Sequence, residues 1–186
     1  MNSKVECLWI ACVMFCFAAA ALFAPVGASA QSSPTVTIHF TGTYIADTCT
    51  VVSSPDMTVT LPTISTQSLT TAGMTAGATV FTVSMQCDSD VTGALVYFES
   101  GSTTDPATGY LVPQAVGGTT SATNVEVMLE NGDGSPIKVG DRNTMKVIPV
   151  TSTGPTPANF IAKYYATGRT TPGMVNTYVT YVIQMP

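Results

Sequence analysis

From Val36 to Tyr44 the chain reads VTIHFTGTY, an unbroken alternation with Val36, Ile38, Phe40, Gly42 and Tyr44 on one parity and Thr37, His39, Thr41 and Thr43 on the other. Successive side chains of a strand point to opposite faces, so this pattern predicts a strand with one apolar face. Shorter runs of the same kind follow: MTVTL (57–61), TVFTVSMQ (79–86), TGALVYFE (92–99), NVEVMLE (124–130), PIKV (136–139), MKVIPV (145–150), NFIAKYYA (159–166) and NTYVTYVIQM (176–185). Turn-forming breaks such as DPATG, VGGTT, NGDGSP and TSTGPTP separate them. Many short strands at this spacing predict an all-β, antiparallel sandwich. Residues 65–78, STQSLTTAGMTAGA, have room for a helical turn, but their glycines and threonines oppose a long helix.

The start of the chain follows another rule. Lys4 precedes an apolar run from Leu8 to Phe23, Pro25 and Gly27 interrupt it, and Ala28-Ser29-Ala30 fits a small-residue cleavage site. Residues 1–30 are therefore expected to be a signal peptide, with Gln31 first in the mature chain. An uncleaved anchor is the competing reading, because the apolar run approaches the roughly 18–20 residues that span a bilayer. The remaining 31–186 have the length of one domain with one core.

Discarding 1–30 removes Lys4 and Glu6, one charge of each sign, so the net charge stays at −5. No basic cluster is left to follow a phosphate backbone, which argues against nucleic acid as a partner. Only 9% of the chain is charged, and its wealth of Thr, Val, Ser and Gly suits a β-rich extracytoplasmic protein. Cys7, Cys12 and Cys16 leave with the signal peptide. Cys49 and Cys87 remain, and an even count in a secreted chain reads as a disulfide, with two buried free thiols as the alternative. Closing a loop of about 39 residues contributes roughly 4 kcal/mol in the chain-entropy model.

Candidate chemistry is sparse. His39 is the chain's one histidine and sits on the polar parity of its strand, a poor place for a catalytic base. With one histidine and no Cys-x-x-Cys pair, no metal or other cofactor is expected. Asp88-Ser89-Asp90 and NGDGSP (131–136) lack the spacing of a calcium loop and read as turns. No motif nominates a carboxylate pair for glycoside chemistry. Phe160, Tyr164, Tyr165 and Tyr178 read as core or cross-strand packing in preference to a sugar-stacking platform.

Five stretches, in this order and spacing and with the cysteine pair and signal peptide, carry a family likeness: TVTIHFTGTYIADTCTV (35–51), LPTISTQSLTTAGMTAGATVFTVSMQC (61–87), TDPATGYL (104–111), ATNVEVMLENGDGSPIKVG (122–140) and FIAKYYATGRTTPGMVNTYVTYVI (160–183). The chain resembles the bacterial type 1 fimbrial, or pilin, subunits assembled by the chaperone and usher route. The resemblance implies an incomplete immunoglobulin-like sandwich that lacks its last strand and is completed by a donor strand from a neighbouring subunit. It divides the chain into signal peptide (1–30), donor-strand extension (31–46) and pilin domain (47–186).

The same resemblance places the donor positions on Val36, Ile38, Phe40, Gly42 and Tyr44, with Gly42 on the family's donor-strand glycine. It places the chaperone-binding strand on Val179, Tyr181, Ile183 and Met185; the family usually has an aromatic where Met185 stands. The implied partners are like subunits joined head to tail, a periplasmic chaperone and an outer-membrane usher, and the implied destination is the cell-surface fimbrium, reached through the periplasm. No enzymatic activity is implied. A minor tip or adaptor subunit that binds glycans is the alternative. Alternation by itself does not separate a donor strand from the first strand of a closed sandwich, and four large apolar side chains entering a groove would bring at most about 6–12 kcal/mol.

Overall fold

In the computed structural model the alternating runs form two antiparallel sheets around a shared core. Residues 48–54, 56–151 and 154–186 are described, all within one compact unit, Tyr44–Pro186. The larger sheet has β1 (Cys49–Val51), β2 (Thr75–Cys87), β7 (Thr156–Ala166), β4 (Val125–Asn131) and β5 (Pro136–Ile137), in that spatial order. The smaller has β6 (Val147–Pro149), β3 (Gly93–Glu99) and β8 (Thr180–Gln184). The expected all-β sandwich is therefore the fold, and the expected helical turn is a 3-10 turn, Thr66–Ser68, with Ser65 accepting from Gln67 N at its start.

The core is built where the inward parities of both sheets meet. Val83 and Met85 of β2, Val96 and Phe98 of β3, Val127 and Leu129 of β4, and Ala158, Phe160 and Ala162 of β7 are all buried. Phe98 and Phe160 join the sheets edge to face at 5.1 Å between centroids, a favoured aromatic geometry. The pairing of β2 with β7 shifts register between Ala76 and Thr79. Gly77 makes that bulge possible: its φ of +68° suits glycine, and a Cβ there would stand 2.9 Å from the Tyr164 ring.

Two expectations need correction. MTVTL (57–61) is not a strand, although its parity is kept: Val59 and Leu61 pack against the core while Met57 is exposed. Alternation reports which face is buried and says nothing about whether a neighbouring strand is present to pair. On β4, the outward Glu126, Met128 and Glu130 are as buried as their inward neighbours, where an alternating strand predicts exposure. Residues 104–111 fold over them: Leu111 bridges Val127, Thr108 reaches Glu126, and Tyr110 stacks edge-on against Tyr165 at 4.9 Å.

Candidate functional site

Two strands end the sheet orders on the same side of the sandwich, β1 in the larger sheet and β8 in the smaller, and the two come close together. Among the described residues neither has a partner along its outer edge. Disulfide Cys49–Cys87 staples β1 to β2 at a directly opposed pair, as expected for these two cysteines.

Parity shows what this edge lacks. Directly opposed residues of an antiparallel pair share a face. Val51 stands opposite Met85, which is 0% exposed in the core, yet Val51 itself is 39% exposed. Across the gap, Ile183 and Tyr181 of β8 oppose Val96 and Phe98 of β3. Both β3 residues are 1% exposed, whereas Ile183 and Tyr181 remain half-buried. Phe81, on the inward parity of β2, is half-buried too. Apolar side chains thus face the core from both walls and are left incompletely covered, as in a sandwich short of one strand.

The predicted chaperone-binding residues Val179, Tyr181, Ile183 and Met185 are brought together on this wall, all four partly buried against the main core. Tyr181 and Ile183 lie within β8; Val179 and Met185 flank it. The predicted donor residues Val36, Ile38, Phe40, Gly42 and Tyr44 lie outside the described residues. The sequence reading missed Val51 and Phe81 as members of the site; their parity was visible, but not the absence of a covering neighbour. Two of the three buried hydroxyls without a hydrogen-bond partner among the described residues, Ser53 and Thr177, follow β1 and precede β8.

The edge offers backbone and apolar surface and little else. Among the described residues no group of His, Cys, Asp or Glu is placed to hold a metal. The titratable side chains with displaced pKa values lie elsewhere. Burial raises Glu126, with Asp105 adding to the rise and the Thr108 hydroxyl opposing it. Burial likewise raises Tyr110 and Tyr164. Lys146 and Ser135 hold the exposed Asp133 well below the usual carboxylate range. The arrangement is suited to accepting an extended peptide whose alternate side chains enter the opening.

A family model described as fimbrial protein matches residues 38–185. The major fimbrial subunit SMF-1 of Stenotrophomonas maltophilia (strain K279a) is 38% identical over 170 residues, covering 86% of this chain and 96% of the relative. The F17 fimbrial protein of Escherichia coli is 37% identical over 170 residues, covering 84% and 92%. Among solved structures, a subunit of a chaperone-usher pilus aligns with a TM-score of 0.57 at 14% identity, over 83% of this chain and 100% of the other, which bears on the fold alone.

Proposed function

This chain belongs to the fimbrial protein family and is a structural subunit of a cell-surface pilus, and on that premise we propose that its open edge is filled by the 31–46 extension of the next subunit. Residues 36–44 enter as an added strand beside β8, with Val36, Ile38, Phe40, Gly42 and Tyr44 directed into the opening. Main-chain hydrogen bonds give the joint its strength, and alternate side chains set its register. Gly42 meets a shallow part of the groove or a close backbone approach, where a side chain has no room. Because each subunit carries one strand and one groove, the contact is head to tail and propagates a fibre.

Before assembly, Val179, Tyr181, Ile183 and Met185 present the same wall to a strand of a periplasmic chaperone, and an outer-membrane usher passes the subunit to the surface. The observation that supports this reading best is the exposure of Val51 at a core-facing position opposite the fully buried Met85. The tip-subunit alternative has less support, since the relative at 38% identity is described as a major subunit.

The test uses a chain beginning at Asp47 and a synthetic peptide of residues 31–46. The peptide should restore cooperative unfolding to the shortened chain, and Ile38→Asp or Phe40→Asp in the peptide should abolish uptake. Gly42→Trp should slow or block it. A shortened chain that folds equally well alone and ignores the peptide would defeat the proposal.

A further inference from the structure

The ladder between β3 and β8 ends at Leu95 with Gln184, and the preceding Ala94 and Gly93 pair with Ile148 and Pro149 of β6 on their other side. Met185 and Pro186 therefore run beyond the last pair of β8. Met185 is nevertheless partly buried against the core. Pro186 Cγ lies 3.5 Å from where a Cβ on Gly93 would stand, so it rests close to the bare glycine backbone.

Arg142 fastens this end. Its Nη1 donates to Gln184 Oε1 at 2.7 Å and its Nη2 to the Met185 carbonyl at 3.0 Å. One planar guanidinium thus fixes a side chain and the main chain of consecutive residues, a geometry that lysine cannot copy. Arg142 is itself well placed: it opens the 3-10 turn Arg142–Thr144, where Asp141 Oδ1 accepts from Asn143 N at 3.0 Å and Met145 N donates to the Arg142 carbonyl. Neither salt bridge among the described residues involves it, so its charge is not committed to a carboxylate.

We infer that Arg142 is a positioning residue for strand uptake, holding the last residues of the acceptor strand extended where the sheet no longer pairs them. The inference rests on the strand-acceptor reading above. Met185 has a flexible side chain that specifies its own placement poorly. A frayed end would have to be ordered as the incoming strand arrives, and that ordering subtracts from affinity. With Arg142 in place the end is ordered beforehand.

Two measurements on the whole mature chain test this. In the first, a fluorescein-labelled peptide of residues 31–46 is loaded, unlabelled peptide is added, and anisotropy follows its release. R142A should release the label about tenfold faster, and R142K, which keeps the charge and loses the fork, should do no better than R142A. The urea midpoint of the unloaded chain should barely move. Parent chain that loads while R142A releases no faster overturns the inference and leaves the strand-acceptor reading intact; parent chain that takes no peptide and yet stays monomeric, so that no neighbour's strand fills its groove, overturns that reading. In the second, hydrogen exchange without peptide should speed up across 183–185 in R142A and stay unchanged in β2 and β4. Unchanged exchange at 183–185 overturns the clamp whatever the peptide does.

Discussion

The two sides of this sandwich solve the same problem in opposite ways. Where β5 gives way to β6, the chain crosses between sheets through 138–146 and covers that side with its own residues. Asn131, 3% exposed, is its hub: its Nδ2 donates to Ser135 O, Ser135 Oγ and Thr144 O, and its Oδ1 accepts from Lys146 N. Ile137, Val139 and Met145 are buried beneath. Where β1 faces β8, nothing in the described chain plays that part, and core-facing Val51, Tyr181 and Ile183 stay partly exposed. An unpaired strand edge invites another chain, and most proteins blunt it. One side of this protein is finished within the described residues, and the other is left open by them.

Removing Cys49 and Cys87 together should have the largest effect on this contrast. The bond closes a sequence separation of 38 and is the covalent tie of the three-residue β1 to the rest of its sheet. A double Ala variant should lose about 2–5 kcal/mol in urea unfolding and should fail to hold the 31–46 peptide, because one wall of the opening is no longer fixed. Loss of stability with normal peptide retention would show that β1 is not a wall of the site.

How much of this was legible beforehand follows from what each signal measures. Runs such as TVFTVSMQ and NFIAKYYA read correctly as strands because both sheets impose a period of two on residues that are themselves good strand formers. The cysteine pair was legible because, with 1–30 read as a signal peptide, two cysteines are left and a disulfide is the ordinary fate of such a pair outside the cytosol. The parity of Val179, Tyr181, Ile183 and Met185 was visible too. What no periodicity reports is a missing neighbour: residues 57–61 alternate as a strand would, yet no strand pairs with them among the described residues. Long-range cover was equally hidden, as in Thr108 over Glu126, 18 residues away, or Arg142 on Met185, 43 away.

The next comparison sets one residue from each side against the other. Asn131→Ala leaves several buried groups without partners and should cost about 2–4 kcal/mol, with peptide retention at the open side unchanged once the protein is folded. Val51→Ala should cost less than about 1 kcal/mol in the unfilled chain, since much of the side chain is already in water. In the filled protein its cost should grow, as the incoming strand covers the site. Equal losses for Val51→Ala with and without peptide would mean that the added strand does not lie over β1.

The smallest effect belongs to the covered side and depends on pH. Glu126 is 5% exposed; Thr108 donates to it at 2.8 Å, Asp105 and Tyr110 face it from the covering loop, and Tyr165 opposes it on β7. The nearby cation, Lys163, is bound to Glu130 at 2.6 Å. Burial raises the folded-state pKa of Glu126 above that of an unfolded chain. Its contribution is therefore complete below the ordinary carboxylate range and is lost as pH rises through the folded value. Glu126→Gln keeps the shape and stays uncharged, so its urea midpoint should exceed the parent's near neutral pH, and the gap should close toward about pH 4. Parallel midpoints across that range would mean that the covering loop already accommodates the ionised carboxylate. Peptide retention should not change in this variant: the loop over Glu126 belongs to the side that the chain completes for itself, and a shift there would show that the two sides are coupled through β7 and β2.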